Sequence, residues 1–191
     1  MLLNEIAQPS SEDIMKWFTA VNRYVISNIS GPDFEVAIRK LLYVFPKSKF
    51  TGDMYRAISL DSQSIAKNPS AEGIMNSFNN YKSQHKRNLY GWAKELDQAE
   101  TFAVQGHDKF VVMVHQYHVG IDLQVLYQNI NKTMPSVFSS SEFKEGLQNV
   151  MQEGEVVATI APEAQIVQFH VANKLFSASQ FEKALAFFKQ H

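Results

Sequence analysis

Five consecutive apolar residues, Phe110-Val111-Val112-Met113-Val114, with glycines at 106 and 120 on either side, constrain this chain more than any other stretch. The run is short and rich in β-branched valine, so it reads as a strand. Its side chains point alternately to two faces, both of which must be covered. The rest of the chain therefore has to supply strands for its edges and layers for its two faces. This strand reads as the central one of its sheet.

Helices are easily found for those layers. From Ser11 to Ile29 the apolar residues Ile14, Trp17, Phe18, Val21, Tyr24 and Val25 fall on one helical face, and Gly31-Pro32 stops the pattern. Asp33 to Phe45 repeats it with Phe34, Ile38, Leu41, Leu42 and Phe45, giving a helical hairpin. Ser70 can cap a helix carrying Ile74, Met75, Phe78 and Tyr81. Leu96, Ala99, Phe102 and Ala103 share another face. Ser139 with Glu142 fits a capping box ahead of Phe143, Leu147 and Val150, and Ser179 with Glu182 fits one ahead of Phe181, Leu185 and Phe188. An irregular stretch is expected between Leu123 and the serines at 139 to 141.

Further strands are expected at Lys49–Leu60, bounded by Gly52 and Asp61, at Leu89–Ala93, after Glu155 up to Pro162, and at Gln165–Ala172. With 191 residues the chain fits one compact domain, helical over about 11–45 and mixed over about 49–191. The absence of cysteine excludes disulfides, thiolate metal sites and a cysteine nucleophile. Lys and Arg number 18 against 19 Asp and Glu, so no overall field favours nucleic acid or anionic membrane. The Lys82–Arg87 basic cluster reads as a solvated loop or as a local guide for an anion. The start lacks a secretory pattern, and no run approaches the ~18 apolar residues that would span a bilayer. The expectation is a soluble, cytoplasmic protein with no membrane partner.

Three features carry possible chemistry. Arg56 sits inside an apolar strand, where its guanidinium must meet an anion or water, unless it lies on the solvated face of an edge strand. Glu153-Gly154-Glu155 precedes the apolar run Val156-Val157-Ala158. If Glu155 opens a strand, both carboxylates share a face and raise each other's pKa; otherwise they form a solvated acidic turn. His115 and His118, three apart in an extended segment, point to opposite faces, which argues against a metal site.

In this order the pieces resemble the ADP-ribosyltransferases of the arginine, serine, glutamate type, notably the small enzymes of tailed phages and related bacterial toxins. Met54-Tyr55-Arg56-Ala57-Ile58 looks like their arginine strand. Gly91-Trp92-Ala93, followed by Leu96, Ala99 and Phe102-Ala103, looks like their serine-containing strand and its helix. Glu153-Gly154-Glu155-Val156-Val157 looks like their Glu-x-Glu turn. The similarity runs from about Ser11 to Ala172. It departs from the family pattern at Gly91 and Ala93, where hydroxyl-bearing residues usually stand.

The resemblance implies the α+β class, with a pair of packed β-sheets, an N-terminal helical layer and an NAD cleft between the sheets. It implies NAD as substrate without a metal, nicotinamide release, and transfer of ADP-ribose to an arginine of a bacterial host protein. Catalysis would fall to Glu155, Glu153 and Arg56. Glu155 would stabilise positive charge developing on the ribose, and Arg56 would grip the pyrophosphate or ribose through fork-like bonds. Ala57, Gly91 and Trp92 would complete the NAD site with Arg56 and Glu155. Glu153 would orient the attacking group, and glutamate at that place implies an arginine acceptor. A catalytically silent relative that binds a partner through the same cleft, and an unrelated structural domain, are the alternatives.

Overall fold

The computed structural model describes residues 9–27, 32–67, 70–76, 89–103, 110–161 and 163–190. Phe78, Tyr81, the Lys82–Arg87 cluster, Gly31, Gly106 and Pro162 lie outside the described residues, as do the side chains of Phe102 and Ala103. The class is α+β: helices accompany an antiparallel multi-stranded sheet. Two compact units form, one from residues 1–49 and 121–152, the other from 50–120 and 153–191.

The first unit is helical. Helix α1 (Ser11–Ser27) starts reciprocally: the Asp13 N–H donates to Ser10 Oγ and the Ser10 N–H donates to Asp13 Oδ2, each at 3.1 Å. Helix α2 (Pro32–Val44) packs against it, with Phe34, Ile38 and Leu41 buried. The predicted irregular stretch after Leu123 is instead a helix over Leu123–Thr133, here α6 once the helices of the second unit are counted. Asp122 Oδ1 caps it, accepting from the Val125 N–H at 3.1 Å. Leu123, Leu126, Tyr127 and Ile130 form its buried face, at spacings of three and four. Residues 121–152 thereby join the helical unit, not the mixed part.

Helix α7 (Ser141–Glu153) is capped by Ser140, whose Oγ accepts from the Phe143 N–H at 3.4 Å. Ser139, expected in that role, ends a 3₁₀ turn and donates to the Ser136 carbonyl at 2.6 Å. Phe18 packs between Tyr127 and Phe143, at centroid distances of 4.7 and 5.1 Å. Beside them Asn22 is fully buried. Its Oδ1 accepts from the Tyr127 hydroxyl at 2.9 Å and its Nδ2 donates to the Glu142 carbonyl at 3.3 Å.

The second unit contains strands β1 (Lys49–Leu60), β2 (Tyr90–Trp92), β3 (Phe110–Asp122), β4 (Val156–Ala158), β5 (Gln165–Val171) and β6 (Lys174–Ser177). They are hydrogen-bonded into one six-stranded sheet in the order β2-β4-β3-β5-β6, with β1 on β3. Two separate sheets were expected. A single set results because β3 is 13 residues long and serves β1, β4 and β5. Tyr55 of β1 also bridges to Ala93, just past β2. Strands β1, β3, β4 and β2 therefore close on one another.

Both faces of the central strand are covered, as its continuous apolar run requires. Phe110, Val112 and Val114 join a core with Ile65 of helix α3 (Ser62–Lys67), Ile74 of helix α4 (71–76), and Phe181 and Leu185 of helix α8 (Phe181–Phe188). Val111 and Met113 meet Ala99 of helix α5 (Leu96–Ala103) on the other face. Ser70 caps α4 as expected, its Oγ accepting from the Gly73 N–H at 3.0 Å. A hairpin turn at Ala172-Asn173, both at positive φ, adds β6. Ser177 and Gln180, not Ser179 and Glu182, make the capping box that precedes α8.

Candidate functional site

The Glu153-Gly154-Glu155 turn begins where α7 ends. Glu153 is the last helical residue, and Gly154 takes φ +59°, the left-handed conformation that commonly terminates helices. Glu155 follows, half-buried, immediately before β4. The two carboxylates therefore do not stand two apart on one strand, because the first belongs to a helix and the glycine between them redirects the backbone. The Glu153 carboxyl is held above its ordinary value of 4.5, and the cause is desolvation, not a neighbouring charge. The residue as a whole remains exposed. Its place at a helix C-terminus, where the macrodipole disfavours negative charge, acts in the same direction.

Strand β2 runs antiparallel to β4, pairing Tyr90 with Ala158, Gly91 with Val157 and Trp92 with Val156. Continuing that register sets Ala93 across from Glu155. Ala93 is in turn hydrogen-bonded to Tyr55 in both directions, at 2.8 Å each. Arg56, the next residue, is half-buried. Its Nη1 donates to the Gly91 carbonyl, and its guanidinium carbon lies 5.4 Å from the centre of the Tyr90 ring. The tertiary structure thus brings the strands of Arg56, Gly91 and Glu155 side by side, although the residues are 35 and 64 positions apart in sequence.

The remaining expected residues fall as follows. Ala57 packs in the cluster beneath α5. Trp92 is 2% exposed, and its indole N–H donates to the Ala158 carbonyl at 3.3 Å, so its role is to fill the core. Gly91 lies within the β2–β4 ladder, and among the described glycines only Gly154 has a positive φ. His115 and His118 are separated as their spacing predicts. His115 Nε2 meets Asp53 Oδ1 at 2.8 Å, while His118 Nε2 meets Thr159 Oγ1 at 3.0 Å. Among the described residues no group of three or more His, Asp or Glu could hold a metal, and no helix is long and apolar enough to cross a membrane.

One residue at the turn has no mark in the sequence. Gln98, on α5, places both atoms of its amide, Oε1 and Nε2, 3.5 Å from the point that a Cβ on Gly154 would occupy. Its Oε1 is buried without a hydrogen-bond partner among the described residues. A lone glutamine on a short helix gives no local signal, since only folding sets it against residue 154.

No protein-family model, no curated protein and no solved structure matches this chain.

Proposed function

We propose that the protein is a mono-ADP-ribosyltransferase with the fold of that family, which transfers ADP-ribose from NAD to an arginine of a bacterial host protein in the cytoplasm. One observation carries the proposal. The arginine strand, the Gly91 strand and the strand that follows the Glu-Gly-Glu turn are distant in sequence, yet they lie in one sheet, with Arg56 bonded to Gly91 and the Gly91 strand paired with the one that Glu155 precedes. Nothing in local propensity requires that meeting.

The residues suit the chemistry. Breaking the nicotinamide–ribose bond develops positive charge on the sugar, and a half-buried carboxylate at Glu155 favours that state over the ground state. Arg56 offers a planar, permanently charged fork to phosphate or ribose oxygens. Glu153, exposed and with a raised pKa, is suited to take a proton from an attacking group on the target. Glycine and alanine at 91 and 93 favour a second reading, a silent module that binds NAD or a partner without turnover.

Incubation with labelled NAD and bacterial lysate tests the proposal, with free nicotinamide measured in parallel. Label on protein arginine is expected from the parent chain. Glu155→Gln should lower transfer on the order of a hundredfold or more, and Glu153→Gln should lose transfer while keeping NAD hydrolysis. Saturable NAD binding without nicotinamide release would establish the silent reading, and absence of NAD binding would remove both.

A further inference from the structure

We propose that Glu100, Gln168 and His170 form a pH-sensitive tie between helix α5 and strand β5, closed while the His170 ring is neutral with its proton on Nδ1 and opened by protonation at Nε2. The proposal is independent of the transferase reading.

Two contacts of one nitrogen carry it. Gln168 Nε2 donates to Glu100 Oε1 at 2.6 Å and stands 3.1 Å from His170 Nε2. An ionised carboxylate only accepts, so this end of the amide is the nitrogen; a carbonyl oxygen there would face another oxygen. One amide hydrogen goes to Glu100 and the other faces His170, whose Nε2 must then offer a lone pair. The ring proton therefore sits on Nδ1.

The surroundings suit a neutral ring. In the β3–β5 ladder Met113 pairs with Gln168 and Val114 with Ile166, which leaves Val167 as the extra residue of a bulge. Val167 packs in the cluster beneath α5, while Gln168 reaches Glu100 on that helix. The ladder neighbours of His170 are Val111 and Leu175, and those of Gln168 are Met113 and Ser177, all uncharged. Lys174 of β6 lies over the Phe176 and Phe187 rings. Helix α8, with Glu182 and Lys183, packs through Phe181 and Leu185 in the core that holds Phe169 and Val171, the alternate positions of β5. On α5, Asp97 accepts from the Gln98 N–H at 2.8 Å. Among the described residues the charge that bears on the ring is therefore that of Glu100. Burial lowers the His170 pKa below its ordinary value of 6.5, outweighing the opposing pull of Glu100.

Protonation at Nε2 sets two donors against each other. The amide cannot turn over to accept, because its oxygen would then meet Glu100. The imidazolium draws the Glu100 carboxylate to itself instead, and Gln168 is released from the helix. The folded state holds this proton less tightly than the unfolded chain does. The stabilisation is therefore complete above 6.5 and is lost as the pH falls through the lower folded value.

Nitrogen-15 NMR of the whole chain tests the tie. At neutral pH His170 should show its hydrogen on Nδ1 and a bare Nε2. On acidification the ring should titrate with a midpoint below 6.5, and the Gln168 side-chain signals and the α5 backbone N–H signals should move with the same midpoint. Gln168→Met keeps length and removes both donors. It should shift the His170 midpoint upward, since the neutral ring loses a bond while the pull of Glu100 remains. An unchanged midpoint in that variant overturns the proposal. So does a hydrogen on Nε2 at neutral pH, or a Gln168 signal indifferent to the His170 titration, and these two are read on the parent whether or not the variant folds.

Discussion

Two glycines in this molecule each meet a side-chain amide, and the two amides are in opposite states. In the helical unit, a Cβ on Gly146 of α7 would land 1.9 Å from Asn22 Oδ1. That amide is fully buried and committed at both ends, to Tyr127 and to the Glu142 carbonyl. In the sheet unit, a Cβ on Gly154 would meet the Gln98 amide at an ordinary 3.5 Å, and Gln98 Oε1 has no hydrogen-bond partner among the described residues. A saturated buried network fixes how helices pack, since every polar group already has its partner and any displacement breaks bonds. At Gly154 the surroundings leave room for a Cβ, and the positive φ is what favours glycine there. Glycine at 146 is required by what packs against it, whereas glycine at 154 is required by the backbone conformation it takes.

The contrast can be broken by substitution. Gly146→Ala should be the most damaging change, because the new methyl can be accommodated only by moving Asn22 and abandoning its bonds. About 3 kcal/mol of stability should be lost, read as a lowered denaturation midpoint. Combining it with Asn22→Ala should cost less than the sum of the two single changes, since both disrupt one network. If Gly146→Ala melted like the parent, the cluster would not be the rigid element described.

Gly154→Ala should cost less, about 1–2 kcal/mol, the strain of a left-handed alanine with ordinary contacts around it. Gly154→Asn should cost less again, since asparagine tolerates that conformation. Equal effects of Ala and Asn in chemical denaturation would mean that the φ angle is not the constraint.

On the transferase reading, Gly91→Ser adds the hydroxyl that the resembled family's pattern has at this place and, being in a regular ladder, should fold normally. One neutral hydrogen bond is worth about 0.5–1.5 kcal/mol, so NAD turnover should rise several-fold. A well-folded variant with unchanged turnover would mean that another group already orients the carboxylate.

The smallest effect concerns Glu153. Its folded pKa is raised by desolvation, so the folded state holds that proton more tightly than the unfolded chain. The associated stabilisation is present below the ordinary value of 4.5 and is lost as the pH rises through the higher folded value. Glu153→Gln should remove this slope, making the melting temperature less dependent on pH over that window and slightly higher at neutrality. The exposure of the residue keeps the effect small.

Much of this was legible before folding was considered. The run Phe110–Val114 declared a strand covered on both faces, and the spacing of Ile14, Phe18, Val21 and Phe34, Ile38, Leu41 declared the helical hairpin. Periodicity reports local geometry directly, because burial on one face leaves a pattern along the chain. Helix α6 carries Asp122 as its cap and Leu123, Leu126, Tyr127 and Ile130 as its stripe, but Gly120 reads as a break into irregular chain, whereas the strand runs through it to Asp122 and the helix follows at once. The caps at Ser140 and Ser177 were displaced by one and two positions from those expected, since neighbouring serines offer the backbone similar hydroxyls and only the tertiary path selects among them. The Ala172-Asn173 turn had only Asn173 as a signal, alanine being unusual at positive φ.

By itself the sequence determined most of the elements, the exclusion of thiol chemistry, and the candidate residues Arg56, Glu153 and Glu155. The tertiary structure alone decided that Arg56 bonds to Gly91, that the Gly91 strand pairs with the strand after Glu155, that Trp92 belongs to the core, and that the Gln98 amide lies near Gly154. The physical reason is range. Helical stripes and strand alternation arise from contacts a few residues apart and are written in composition along the chain. A hydrogen bond between residues 35 apart, or an amide set against a glycine 56 positions away, leaves no local mark on either partner until the sheet closes.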